Sequence, residues 1–439
     1  MLPRMRMLVT SMAALTALLV AAPGAATSAV VDDCGTYDGR GCAPMDQRVD
    51  LAVPQFSHST TITNPLFPIS ELHSALLLGH VDGKRFRTET TLLPGTQTLA
   101  LPGRTVEVLV SQYVAYSGRR LEEVALDHYA QADDGSVWYL GEDVYDYRHG
   151  TVAFTEGTWR AGRDGPPAMI MPATPRVGDA FRTENVPGVV FEEVTVSETG
   201  RTVRGPTGPV PGGLVVDELH ADRTHEAKLF APGYGEFRTA GGGDLEALAM
   251  AVPTDARSGA EPAGLRLMAT SSEGTLESAR LHDWKATSST VRRLRSTWRT
   301  VRADRPPWRV AARMDRDLAG LARALDRRDA PRVAQRAIDV WQSVLDLQLR
   351  YRSPAQVDLA RMHLWTQQLR VLAAAHDLGG VTGAVATLEW IRDRVTAALT
   401  PGALADLDSR LRDLRSATDA GNVRSAADHA ARLGATLLV

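Results

Sequence analysis

DHYAQADDGSVWYLGED, residues 127–143, is the stretch on which the reading of the chain turns. Its acids suggest a calcium loop, and its alternation suggests a β-hairpin. Position separates the two. A helix–loop–helix calcium site wants oxygen ligands at alternate positions, a glycine at the bend and a glutamate six residues further on. With Gly135 as that glycine, Asp134 is correctly placed, but Ala132 and Ala130 occupy ligand positions and Gly141 stands where the final glutamate should be. The strand reading has no such failures. Val124, Leu126, His128 and Ala130 alternate with Ala125, Asp127, Tyr129 and Gln131, and beyond the turn Val137, Tyr139 and Gly141 alternate with Trp138, Leu140 and Glu142. Asp-Gly suits a tight hairpin turn, which needs positive φ at its centre. The stretch reads as a hairpin.

The same signals extend outward. FRTETTLLPG (86–95), TVEVLVSQYVAYSG (105–118), VVFEEVTVSETG (189–200) and GLVVDELHA (213–221) alternate and end on turn residues. After the linker-like VPTDARSGAEPAG (252–264), the period changes. Val310, Met314, Leu318, Leu321 and Leu325 form one apolar stripe at helical spacing. Asp329-Ala330-Pro331, Ser353-Pro354 and Thr400-Pro401 are helix starts, each a side-chain cap near a proline in the first turn. Leu378-Gly379-Gly380 is expected to close the helix that Ser353 opens. The fold class is therefore α+β in two domains, an antiparallel β meander, half-barrel or sandwich followed by an all-α helical bundle. The expected divisions are a signal peptide over 1–29, a disulfide-stapled segment over 30–50, a β domain over 51–252, a linker over 253–264 and the bundle over 265–439.

NPLFPI (64–69), DHYAQADDGSVWYLGEDV (127–144), EGTWRAGRDGPPAMIMPA (156–173) and KLFAPGYGEF (228–237) resemble a family of exported bacterial proteins without an assigned activity. The resemblance covers 55–254, implies export, and brings no mechanism.

Export is also read from the residues. Arg4 and Arg6 precede an apolar run from Met7 to Ala22, broken by Pro23 and followed by small residues suited to cleavage. The run is short for a membrane span, so a secreted or periplasmic, envelope-associated chain without a transmembrane segment is expected after cleavage. In an oxidising compartment Cys34 and Cys42, set in a glycine-rich loop, read as a local disulfide. The formal net charge is -3, which gives no global basic field for nucleic acid or an anionic membrane. Only three lysines accompany 46 arginines, read as compositional bias, and the Arg and Asp of the helices read as solvated faces.

No nucleophile elbow, S-x-x-K, phosphate loop or complete zincin motif is present, so no catalytic motif is recognised. Two candidate sites stand out. Glu218 and His220 share a strand face, and His225 lies just beyond a turn, a set able to hold a divalent metal in a hydrolase. Tyr129, Trp138, Tyr139 and Trp159 lie in an aromatic-dense region and would either pack a core or line a ligand face. The leading expectation is a non-catalytic binding protein without a cofactor. It would take a small or apolar ligand, or an envelope component, on that aromatic face, with the helices as an accessory or docking domain. The competing expectation is a metal-dependent hydrolase using Glu218, His220 and His225.

Overall fold

A computed structural model describes residues 34–36 and 39–437; the expected signal peptide lies outside the described residues. The chain forms β1 (Ser74–Val81), β2 (Lys84–Leu101), β3 (Arg104–Ser117), β4 (Arg120–Gln131), β5 (Val137–Arg148), β6 (Thr151–Phe154) and β7 (Trp159–Arg160), then β8 (Ala168–Met171), β9 (Ala180–Val186), β10 (Val190–Arg204), β11 (Pro209–His220), β12 (His225–Ala231), β13 (Gly235–Gly241) and β14 (Asp244–Val252). Eight helices follow among the described residues: α1 (Ala263–Arg280), α2 (Trp284–Ala303), α3 (Trp308–Asp326), α4 (Ala330–Gln348), α5 (Pro354–Ala374), α6 (Leu378–Val395), α7 (Pro401–Asp419) and α8 (Val423–Thr436). The architecture is α+β, strands first and helices second.

All fourteen strands belong to one antiparallel sheet, in the order β6-β5-β4-β3-β2-β1-β14-β13-β12-β11-β10-β9, with β7 and β8 hydrogen-bonded to β5. The first and last strands therefore meet in the middle, and two meander arms run outward from them. The sheet is not closed, but it curls. Val108, Tyr129 and Leu140 from one arm share a buried cluster with Phe181, Val194, Val216 and Phe230 from the other. The irregular stretch before β1 enters this cluster through Ile62, Phe67 and Ile69, and Asn64 Nδ2 donates to the Pro172 carbonyl at 3.0 Å. NPLFPI is thus a plug across the concave face.

The helices cover the other face. Strand alternation sends Leu76 and Leu78 toward α1–α4, while Ala75 and Leu77 pack inward with Leu72, Tyr234 and Phe237. The helix starts carry the expected caps. Ser353 makes a capping box with Gln356, and Asp329 and Thr400 accept from Arg332 and Ala403. One expectation fails. Gly379 and Gly380 do not end a helix but lie in the first turn of α6, which Asp377 caps through Gly380 N at 2.9 Å. The glycines serve packing. A Cβ on Gly150, in the β5–β6 turn, would lie 2.2 Å from the Gly379 carbonyl oxygen and 2.4 Å from Gly383 N. The bundle and the sheet need bare backbone where they touch.

Candidate functional site

The opening hairpin forms with Asp134-Gly135 in its turn, and its turn acids accept hydrogen bonds from serine backbones. Asp133 accepts from Ser57 N at 2.7 Å and Asp134 from Ser136 N at 2.9 Å. The alternation is not strict, however. Asp127 pairs with Glu142 but Tyr129 pairs with Tyr139, so β5 holds one extra residue around Gly141, whose φ is 117°. This bulge brings Tyr139 and Glu142 to the same face, which simple alternation would not allow.

The aromatic quartet is core rather than an open face. Tyr129, Trp138, Tyr139 and Trp159 are all buried in the inner cluster, and Trp159 is 0% exposed. Tyr129 stacks on Tyr139 with ring centres 5.0 Å apart, and Trp159 meets Tyr139 edge-on. Their polar atoms are placed inside: Tyr139 Oη donates to Asp127 at 2.7 Å, Trp159 Nε1 to Glu184 at 2.9 Å and Trp138 Nε1 to Ser136 at 2.8 Å. Of the four, Tyr139 alone borders the small void on the concave side, beside Glu142, Glu184 and Glu218. Tyr113, Ile170, Phe181 and Phe230 line the same void, so its surround mixes rings and aliphatic groups with carboxylates and Lys228.

The metal candidate is also rearranged. Glu218 and His220 do share a face, but His225 pairs in register with Leu219 and so points the other way, to Asp217 Oδ2 at 2.6 Å. Glu226, directly opposite Glu218, takes its place, and one ligand atom from each of Glu218, His220 and Glu226 lies within 4.8 Å of the others. Glu218 is already engaged by Lys228 Nζ at 2.6 Å. Burial pushes the Glu218 carboxyl up despite that lysine, and it pushes Glu226 up as well. His220 loses solvent too, but Glu192 and Glu218 outweigh the loss and raise it to about 9. An imidazolium between carboxylates is a poor metal ligand until its proton leaves.

The disulfide Cys34–Cys42 is formed, with Cα atoms 5.7 Å apart. Cys34 packs on Phe191 and Leu219, so the loop is stapled against β10 and β11. Among the described residues no helix is long and apolar enough to cross a membrane.

A site that the sequence did not disclose lies on the opposite side of the sheet. Between β2, β3 and the helices α3–α5 is a cavity of about 270 Å³. Phe86, Tyr116, Ile338, Leu364 and Trp365 supply apolar walls, and Tyr116 stacks on Trp365 at 5.5 Å. Lys84, Arg85, Arg87, Arg119 and Arg313 also line it, against two carboxylates, Glu89 and Asp339.

Behind it lies a buried ion network. Asp346 accepts from Arg87 Nη1 at 2.8 Å and from Arg361 Nη2 at 3.1 Å. Glu89 accepts from Arg87 Nη2 and Arg394 Nη1, each at 2.7 Å, and Asp358 accepts from Arg361 at 2.9 Å. Burial alone would raise these acids, but Arg361, Arg87 and Arg394 hold the Glu89 carboxyl far below its usual range, and Arg87 and Arg361 lower the Asp346 carboxyl. Arg313 is the unmatched member. Burial and the nearby Arg87 weaken its hold on its proton, its Nε has no hydrogen-bond partner, and Asp317 is 3.7 Å away. The Tyr116 hydroxyl, 4% exposed, also has no partner and stays protonated because burial pushes it up.

No family model matches the chain, and no curated protein does.

Proposed function

We propose that the protein is an exported, non-catalytic binding protein that holds a small anionic molecule with a flat apolar part in the cleft between sheet and helices. The observation that supports this most is the cleft itself, where a Trp365–Tyr116 wall stands beside Lys84 and Arg313, and beside Arg85, Arg87 and Arg119, which are paired with Asp317, with Glu89 and Asp346, and with Asp339. Sites for small molecules favour domain junctions, with apolar walls and a few convergent polar groups. Tyr116 and Arg313, which line the cleft, each bury a polar atom without a hydrogen-bond partner. The Cys34–Cys42 disulfide fits an oxidising compartment.

Trp365 provides the test. Titrating the purified protein with aromatic carboxylates and phosphates, beside their neutral amides and alcohols, should shift tryptophan fluorescence and the melting temperature for the anions. Arg313→Gln and Trp365→Ala should each weaken that binding about tenfold or more while leaving circular dichroism unchanged. Binding that ignores the ligand's charge, or survives both substitutions, sinks the proposal.

The Glu218, His220 and Glu226 cluster supports a second reading, a metal-dependent hydrolase. Elemental analysis of protein purified without chelator decides it: a stoichiometric metal lost in His220→Ala supports it, and no metal removes it.

A further inference from the structure

The helix α2 reads WKATSSTVRRLRSTWRTVRA. It carries Lys285, Arg292, Arg293, Arg295, Arg299 and Arg302, and no acid at all. Compositional preference for arginine does not explain this. In α7, Arg410, Arg412 and Arg415 are balanced by Asp406, Asp408, Asp413 and Asp419, with Arg410 on Asp406 at 2.7 Å. Across 284–328 eleven cations are exposed, against two exposed carboxylates, Asp304 and Asp326. The whole chain carries a formal charge of -3, so this end of the bundle is strongly polarised against the remainder.

The spacing makes a surface of the charges. Arg292, Arg295, Arg299 and Arg302 recur at three and four residues, so they form one stripe about 15 Å long at 1.5 Å per residue. Arg302 is tied to Asp315 at 3.0 Å, but among the described residues Arg292, Arg293, Arg295 and Arg299 make no ion pair. Arg292, Arg295 and Arg299 border a shallow groove between α2 and α3 whose floor includes Leu318 and Ala322. Leu281, in the turn before α2, is 71% exposed.

We infer that the α2–α3 face docks on a membrane surface bearing anionic phospholipid headgroups. An arginine stripe in which Arg292, Arg295 and Arg299 are unpaired matches a plane of phosphates, and the low apolar content of the exposed side keeps the helix at headgroup level rather than inserted. A single-stranded nucleic acid would want exposed aromatic platforms. Along the arginine stripe this face does not offer them: Trp298 is 4% exposed, Trp308 is capped by Arg204 and Arg309 at 4.1 and 4.3 Å, and the half-buried Trp284 lies at the opposite end of α2. The inference does not depend on the cleft.

The test is co-sedimentation of the full protein with vesicles of mixed phosphatidylglycerol and phosphatidylcholine, beside pure phosphatidylcholine. Binding is expected to the anionic vesicles alone and to fade as salt is raised. Arg292→Glu/Arg295→Glu/Arg299→Glu should lose partitioning by about a hundredfold or more, from the contribution of a basic residue near an anionic surface. Arg410→Glu/Arg412→Glu on α7 should stay within about twofold of the parent, since those arginines lie off the stripe. Both variants carry the same N-terminus, so any binding by it is common to them. Should the charge reversal not fold, Arg292→Gln/Arg295→Gln/Arg299→Gln is measured the same way and should still lose most binding. Equal binding to phosphatidylcholine, or full binding by the neutral variant, overturns the inference. So does displacement by duplex DNA at matched phosphate, which would assign the face to nucleic acid.

Discussion

The two faces of the sheet bury carboxylates to the same depth and treat them in opposite ways. Glu218 on the concave face is 1% exposed, and Glu89 on the helix-covered face is 3% exposed. Burial raises both. At Glu218 Lys228 and His220 oppose it while Glu192 adds to it, and the carboxyl still moves up; at Glu89 three guanidinium groups oppose it and the carboxyl is driven far down. Adjacent residues of β2 divide the same way. Thr88 donates to Glu246, whose burial pushes it up, while Glu89 takes part in the arginine network. Depth therefore does not decide charge; the number and geometry of cations within reach do.

That contrast can be broken at the arginine network first. Asp346→Ala should cost about 3–5 kcal/mol in urea unfolding at neutral pH, because it leaves Arg87 and Arg361 buried with too few partners. A cost below about 1 kcal/mol would mean that the network does not behave as a buried one. The next largest effect should be with acid. Glu89 and Asp346 titrate below their ordinary range when folded, so the stability they contribute is present above about pH 4.5 and is lost as pH falls toward their folded values. Urea midpoints between neutral pH and pH 3 should fall, and fall less in Arg361→Met.

Lys228→Met on the concave face should cost less, about 1–3 kcal/mol, because Glu218 is already pushed toward its neutral form and can take a proton in place of the lysine. If Lys228→Met matched Asp346→Ala, the two faces would not differ as argued. The smallest effect concerns His220. With its folded value raised to about 9, its contribution is complete below about pH 6.5 and is lost as pH rises through about 9. His220→Gln should flatten that alkaline decline in melting temperature and change little at pH 9 and above.

Much of the framework was legible in the sequence. Asp134-Gly135 marked the hairpin, Ser353-Pro354 and Thr400-Pro401 marked helix starts, and Cys34 and Cys42 marked the disulfide. Misplacements had local causes with distant origins. The bulge at Gly141 put Glu142 beside Tyr139. Register with Leu219 turned His225 away and brought in Glu226. Gly379 and Gly380 resembled a helix stop, because nothing nearby in sequence shows that the β5–β6 turn presses on them.

The cleft left a fainter trace. RFRTE (85–89) carries polar residues on both strand faces, which an ordinary half-solvated strand does not need, and it could have flagged a covered polar surface. Nor did counting arginines separate the unbalanced α2 from the balanced α7; reading them as one solvated class hid the difference.

By itself the sequence determined the order of strands and helices, the turns, the caps and the disulfide, because each depends on residues within a few positions of one another. Only the tertiary structure decided which carboxylates stay charged, which aromatics become core and where a ligand could sit. Arg87 and Asp346 are 259 residues apart in the chain and share a hydrogen bond in the fold. Electrostatic interactions depend on distance in space and on exclusion of water, and neither can be read from spacing along the chain.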